Sequence, residues 1–218
     1  MTKKEKAAKA VSILEERYPD AECALRWNGE PWKLLIMGML SAQCTDARVN
    51  IVCEDLFKKY TSPADVANAD VDEFGEDIRS CGLWRSKSRN IIAACGMLVD
   101  EYGGVLPDEM DELLRLPGVG RKIANLLLGD VYGKPAIVAD THCIRISGRI
   151  GLCPKTKDPL AVEKALVRIV EPEKSSDFCH RLVWFGREVC TARSPKCDDC
   201  PMVEICADIS LSKKKTAS

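Results

Sequence analysis

Apolar residues recur at helical spacing along almost all of the 218 residues, and no run alternates apolar and polar residues over the length of a β-strand. This periodicity predicts an all-α protein of about ten helices joined by short loops, with no internal repeat and no long linker. Ser86 is in position to cap one of these helices. The segments expected to be helical are 4–18, 31–43, the stretch after Thr45, 62–68, 70–80, 87–102, 108–115, 119–132, 141–150, 158–170 and 175–189.

Composition excludes several classes of protein. Hydrophobic residues make up 46% of the chain and charged residues 30%, which is globular and neither disordered nor collagen-like. The longest apolar run, 34–40, is too short to cross a bilayer, and the lysine-rich amino terminus lacks the apolar core of a signal peptide. We therefore expect a soluble, cytoplasmic protein with no targeting or transmembrane segment.

Charge is distributed unevenly. The net charge of −1 argues against a protein that coats nucleic acid by bulk charge, but residues 1–80 carry 11 basic and 15 acidic side chains, whereas residues 81–218 carry 21 and 18. A basic face and ordinary solvated helix surfaces both remain possible interpretations. The basic residues that stand out are Arg85, Lys87, Arg89, Arg121, Lys122, Arg181, Arg187, Arg193 and Lys196.

Twelve cysteines are unusual in a cytoplasmic chain. Eight are scattered singly and are expected to be small buried residues. The other four, Cys190, Cys197, Cys200 and Cys206, form the pattern C-x6-C-x2-C-x5-C. Four thiolates on one short loop repel each other unless a cation holds them, so the pattern predicts a metal site. Zinc remains an alternative, but one compact loop with all four ligands favours an iron–sulfur cluster.

A second motif is the run Leu116-Pro117-Gly118-Val119-Gly120-Arg121-Lys122 between two helical segments. Pro117 ends the first helix, and Gly118 and Gly120 permit positive φ and close approach of the backbone to a ligand. The next helix begins at once, so its free N–H groups favour an anion such as a phosphate. A plain helix–loop–helix turn is the alternative.

Two side chains near this loop can carry chemistry. Lys122, in the first helical turn beside Arg121, can supply an amine nucleophile, although an exposed lysine on a helix is the ordinary interpretation. Asp140 can cap the helix that follows it, and a capping carboxylate at a cleft can also act on a ligand. The sequence contains two histidines, His142 and His180, which argues against a histidine-based metallohydrolase or a serine triad.

Together with Ser41-Ala42-Gln43, these motifs resemble the helix-hairpin-helix DNA glycosylases, in particular the endonuclease III family, from about residue 10 to residue 206. The resemblance implies a two-lobed fold in which a six-helix barrel (24–134) contains the hairpin. A cluster domain (1–23 and 135–218) has the four-cysteine loop at 190–206. It also implies base-excision repair of oxidised pyrimidines, with abasic-site lyase activity. The protein would be a monomer that binds duplex DNA containing damaged bases or abasic sites and does not bind a membrane. It would act at the nucleoid of a bacterium or archaeon.

The resemblance also implies roles for residues that match the family's motifs. Lys122 would be the Schiff-base lysine and Asp140 the catalytic aspartate. Gln43 and Leu83 would enter the duplex where the damaged base leaves. The hairpin residues that would bind DNA are Leu116, Gly118, Val119, Gly120 and Arg121, and the four cysteines would hold a [4Fe–4S] cluster.

Four positions depart from the family pattern. Ile123 stands where a threonine is usual, Trp84-Arg85 replace a tyrosine and a small polar residue, and Phe185 stands where histidine is frequent. They leave the preferred lesion open, because Trp84 and Arg85 adjoin Leu83. A monofunctional glycosylase for mispaired adenine or thymine and a non-catalytic iron–sulfur DNA-binding module are the remaining alternatives.

Overall fold

The computed structural model describes residues 1–208, and these contain α-helices and short 3-10 turns but no strand. The expected all-α class is confirmed. The 3-10 turns cover Arg79–Cys81, Pro172–Lys174 and Val203–Ile205. The α-helices are α1 Lys3–Arg17, α2 Pro31–Leu40, α3 Asp46–Lys59, α4 Pro63–Ala67, α5 Val71–Asp77, α6 Trp84–Tyr102, α7 Met110–Arg115, α8 Arg121–Asp130, α9 Thr141–Ile150, α10 Pro159–Leu166 and α11 Ser175–Glu188.

The chain divides into two compact units. One consists of Cys23–Gly133 and contains α2 to α8; the other consists of Met1–Glu22 and Lys134–Ser218 and contains α1 and α9 to α11. Residues 209–218, the end of the expected cluster domain, lie outside the described residues. No helix in the described part of the chain is long and apolar enough to span a membrane.

In the 23–133 unit, α2 is the central helix. Pro31 occupies its first turn, where a missing N–H costs nothing, and Leu34, Leu35 and Ile36 are completely buried. Helices α3, α6 and α8 pack around α2. A helix that is apolar on nearly all sides is stable only when neighbours cover it, and these three helices provide that cover.

In the other unit, α11 packs against α1 and α9 through the buried side chains of Phe178, Leu182 and Phe185. Arg181 lies on the same helix and is only 8% exposed; its guanidinium donates to the backbone oxygen of Tyr18 and to Asp177. Arg181 therefore belongs to the interior of this unit and not to a basic surface, because its donors are engaged by groups of the unit itself.

Several helix ends differ from the sequence expectation, and two of them adjoin candidate site residues. Helix α2 ends at Leu40 instead of residue 43. Just after this end, Ser41 Oγ donates a hydrogen bond to Gly38 O, and Gln43 takes a positive φ of 54°. Helix α6 begins at Trp84 instead of residue 87. Ser86 does not cap it, because the Ser86 hydroxyl lies within the first turn and donates to Leu83 O.

Among the eight scattered cysteines, six are buried as expected and two are half-buried. Cys23 and Cys44 are the half-buried pair. The buried ones are Cys53, Cys81, Cys95, Cys143, Cys153 and Cys179.

Candidate active site and metal centre

The loop between α7 and α8 is held by buried apolar side chains on either side of Gly118. Leu116 and Val119 are buried, and the Val119 N–H donates to Leu116 O at 3.0 Å. Gly118 has φ +78°, and a Cβ there would lie 2.9 Å from Asn90 Cβ and 3.0 Å from Met39 Cε. Both the backbone conformation and the space therefore require glycine at this position.

Gly120 has a different function from Gly118. It is the N-cap of α8 with φ −103°, so the positive φ that glycine permits is adopted at Gly118 and not at Gly120. Gly120 has no side chain with which to cap the first turn of α8. The N-terminus of a helix favours an anion, because its first N–H groups and its dipole present positive charge.

Lys122 lies in this first turn and is exposed. The next residue, Ile123, is half-buried against α2, where a Cβ on Gly38 would lie 3.3 Å from Ile123 Cγ2. The isoleucine that departs from the family pattern therefore packs α8 onto α2. This contact fixes the first turn of α8 and leaves the Lys122 amine open to solvent.

Gln43 and Leu83 share an unusual backbone conformation. They are two of the three non-glycine residues with positive φ in the described chain, at +54° and +50°; Asn28 is the third. Both are exposed, and the leucine is 55% exposed. A core leucine is the ordinary interpretation of Leu83, and the structure excludes it. Strained, exposed residues of this kind are frequent where a protein grips a ligand.

Trp84 and Arg85 form a stack directly after Leu83. The Arg85 guanidinium lies 4.3 Å from the centre of the Trp84 ring, and Arg79 lies 5.9 Å from it. Gly75 lies beneath the ring, since a Cβ on Gly75 would approach Trp84 Cε3 to 2.7 Å. The tryptophan thus packs on α5, and the guanidinium of Arg85 lies over its ring.

Asp140, in the other unit, is the N-cap of α9. Its Oδ1 accepts a hydrogen bond from the Cys143 N–H at 2.7 Å, which confirms the capping interpretation. The other carboxylate oxygen makes no hydrogen bond to residues 1–208. The carboxylate is therefore oriented through one oxygen and can act on a ligand through the other.

The four-cysteine loop begins just beyond α11. Phe185, buried in α11, accepts the Cys190 N–H at its backbone oxygen, 2.8 Å away. Arg149 of α9 anchors the start of the loop, since its Nη1 lies 3.3 Å from Cys190 Sγ and 2.7 Å from Thr191 O. Arg145 donates to Cys190 O at 3.0 Å. Sequence reasoning missed both arginines; their helical spacing of four residues was the available signal.

The four thiols suit an iron–sulfur cluster by their chemistry. All are half-buried, and Cys197 and Cys200 each face Cys190 and Cys206 closely enough to interact electrostatically. Burial raises the pKa of the Cys197 and Cys200 thiols, and the neighbouring thiols raise it further. Four thiolates this close need a cationic centre between them.

Within residues 1–208, no three histidine, cysteine or acidic side chains converge to hold a single metal ion. The four thiols are compatible with a cluster in which each iron takes one thiolate. The structure leaves Lys122 and the hairpin in one unit and Asp140 and the cysteines in the other.

Comparison with known proteins agrees with these features. Residues 36–172 match the sequence model of the HhH-GPD superfamily of base excision DNA repair proteins. Residues 190–206 match that of the iron–sulfur binding domain of endonuclease III, so the cofactor of the chain is a [4Fe–4S] cluster.

Individual proteins are similar over nearly the full length. The endonuclease III of Bacillus subtilis (strain 168) is 44% identical over 200 residues, 92% of this chain and 91% of that protein. A solved structure of a trapped endonuclease III–DNA covalent intermediate is 44% identical, with a TM-score of 0.91 over 99% of this chain and 100% of that one. A non-covalent endonuclease III–DNA complex is 43% identical, with a TM-score of 0.92 over the full length of both chains. This chain therefore belongs to the HhH-GPD superfamily of base excision DNA repair proteins and, within it, to the endonuclease III family.

Proposed function

We propose that this protein is a bifunctional DNA glycosylase and abasic-site lyase that removes oxidised pyrimidines from duplex DNA. Support comes first from Lys122, an exposed amine in the first turn of α8, directly after a glycine N-cap and a loop that contains two glycines. Family membership and the similarity to endonuclease III–DNA complexes point to the same substrate. The place of action is then the nucleoid.

The first chemical step replaces the damaged base. The Lys122 amine attacks C1′ of the deoxyribose, a C–N bond forms, and the glycosidic bond breaks with its electron pair leaving on the base. The base takes up the proton that the newly bonded nitrogen gives up. Positive charge develops on the sugar as that bond breaks, and the Asp140 carboxylate stabilises it.

The second step cuts the strand. The C1′–O4′ bond then breaks with its electron pair on O4′, which takes up a proton from water. A protonated imine remains between Lys122 and C1′, and it makes the C2′ proton acidic. Loss of that proton to a base breaks the C3′–O bond, so the strand is cut on the 3′ side. Hydrolysis of the imine then returns the free lysine.

Other residues serve access and binding. Leu83 would enter the stack as an apolar wedge, and the Gln43 amide would hydrogen-bond the base left without a partner. The loop from Leu116 to Arg121 would bind backbone phosphate through its amides. Cys190, Cys197, Cys200 and Cys206 would hold the cluster, which supplies a rigid, charged centre for its loop when bound.

Borohydride trapping tests the proposal directly. Reduction of the imine on duplex DNA that contains thymine glycol should yield a covalent protein–DNA adduct with the wild-type protein and none with Lys122→Ala. Lys58→Ala, an exposed lysine of α3 paired with Asp55, is the matched control and should trap as the wild type does.

Absence of an adduct with the wild-type protein, or an undiminished adduct with Lys122→Ala, would overturn the mechanism. Base release without an adduct would identify a monofunctional glycosylase. DNA binding without either reaction would identify a non-catalytic module.

A further inference from the structure

The residues Gln43 and Leu83 lie on two different loops, and both loops follow directly on the end of a helical segment. Gln43 comes three residues after the last residue of α2, and Leu83 comes two residues after the 3-10 turn Arg79–Cys81. Both residues hold positive φ. For non-glycine residues this conformation costs free energy, so something in the surroundings must hold each loop in place.

A buried side chain connects the two helical segments that lead into these loops. Lys87 of α6 is only 6% exposed, and its ammonium donates to Leu40 O at 2.8 Å and to Cys81 O at 2.9 Å. Leu40 is the last residue of α2, and Cys81 is the last residue of the 3-10 turn. The backbone N–H of Lys87 also donates to Leu83 O at 3.0 Å.

The surroundings of Lys87 explain why its charge faces these carbonyls. Burial lowers the pKa of Lys87, and the titratable groups that face it are the thiols of Cys81 and Cys44. Within residues 1–208 no carboxylate forms an ion pair with it. The carbonyl end of α2 carries the negative end of the helix dipole, which compensates the ammonium in place of a counter-ion.

We propose that Lys87 is a positioning residue that holds the Gln43 and Leu83 loops together for insertion into damaged duplex DNA. This inference rests on the proposed function, because it assigns Lys87 a part in base extrusion. Lys87 acts through the backbone of the two loops and does not reach the reacting atoms. Without its ammonium, two buried carbonyls lose their donor, and the ends of α2 and of the 3-10 turn lose a contact that holds them together.

The test compares a substrate whose processing requires the two loops with one whose processing does not. Removal of thymine glycol from duplex DNA requires extrusion of the base. Cleavage of a preformed abasic site in single-stranded DNA requires Lys122 but has no base and no opposing strand to separate. The ratio of the two rates, measured on one preparation, does not depend on the fraction of folded enzyme.

Lys87→Met retains the length and packing of the side chain and removes its donors. We expect the ratio of duplex to single-strand rates to fall about tenfold, since a lost hydrogen bond to a charged group is worth at least that factor. Lys87→Gln, which keeps a donor, should lose less and serves if the methionine variant does not fold. Fluorescence of 2-aminopurine opposite the lesion should rise less on binding, because the base pair opens less.

Control and double variants complete the experiment. Lys58→Met, the same substitution at an exposed lysine, should keep the wild-type ratio. In a Gln43→Ala/Leu83→Ala background, Lys87→Met should change the ratio by no more than about twofold, because the parts through which it acts are already removed.

A Lys87→Met protein with the wild-type ratio, or the full loss in that background, overturns the inference while the proposed function stands. A wild-type protein that cuts neither substrate overturns the proposed function and this inference with it.

Discussion

Asp140 caps a helix and is also a candidate catalytic residue. One carboxylate oxygen forms the cap, and the other is available to a ligand. Oδ1 accepts the Cys143 N–H, and Oδ2 makes no hydrogen bond to residues 1–208. A helix cap requires only one acceptor oxygen, whereas stabilisation of a cationic sugar requires negative charge. Substitutions that separate acceptor from charge can therefore measure each role by itself.

Asp140→Asn should keep the cap and lose the charge. We expect its free energy of unfolding to stay within about 1 kcal/mol of the wild type. Asp140→Ala also removes the cap, so its free energy of unfolding should be about 1 kcal/mol lower than that of Asp140→Asn. Base release from thymine-glycol duplex should fall about 10²- to 10³-fold in both variants. Denaturant unfolding and single-turnover base release are the two measurements.

Asp158 is the matched control. It caps α10 by accepting the Leu160 N–H, so Asp158→Asn changes charge at an equivalent helix position. This variant should release base at the wild-type rate. Near-wild-type base release by Asp140→Asn would leave capping as the sole role of Asp140.

At the scale of elements, the hairpin of α7 and α8 depends on one glycine more than on the other. Gly118 has positive φ and lacks room for a Cβ, whereas Gly120 has negative φ and no heavy atom within 4 Å of a Cβ placed there. The stability of the hairpin therefore depends on position 118, and position 120 matters for what approaches the helix N-terminus.

Gly118→Ala should destabilise the protein by about 1–3 kcal/mol, because alanine at positive φ is strained and its methyl group meets Asn90 and Met39. Gly120→Ala should alter stability by less than about 1 kcal/mol. Free energies of unfolding from urea titrations check both values. Equal losses in the two variants would contradict this account of the loop.

The four-cysteine loop is a second element whose shape comes from its neighbours. Arg145 and Arg149, one helical turn apart on α9, donate to the backbone oxygens of Cys190 and Thr191. On the loop itself, Arg193 and Lys196 are exposed. The element thus combines internal anchors with outward charges, as a loop that faces phosphate requires.

At the scale of the molecule, a net charge of −1 conceals local basic groups. Two of the basic residues that stand out in the sequence, Lys87 and Arg181, are buried and donate hydrogen bonds to backbone oxygens. Others, including Arg121, Lys122, Arg193 and Lys196, are exposed. Binding to DNA would therefore depend on a few local phosphate contacts and not on overall attraction.

Affinity for duplex DNA with a non-cleavable abasic analogue should fall steeply with salt. The slope of log affinity against log salt concentration is about −0.9 for each phosphate contacted. Arg193→Ala should make the slope shallower by about one contact, and Arg168→Ala, an exposed arginine of the same unit, should not. Fluorescence anisotropy across a salt series measures both slopes, and a flat wild-type response would contradict phosphate binding.

Local pattern in the sequence was enough to predict the helices, the glycine loop and the iron–sulfur cofactor. Each depends on residues close in the chain: apolar spacing for α2 and α11, Pro117 and Gly118 for the hairpin, and four cysteines within one loop. Helix ends were less predictable, because the end of α2 is set by a side-chain hydrogen bond and a positive φ just beyond it.

The sequence by itself therefore determined the all-α class, the family and the candidate catalytic lysine. Only the tertiary structure decided that Leu83 is exposed, that Gln43 and Leu83 share a strained backbone, and that Lys87 is internal. The physical reason is distance along the chain. Whether a lysine is solvated or buried depends on acceptors such as Leu40 O, 47 residues away, and no local pattern encodes that contact.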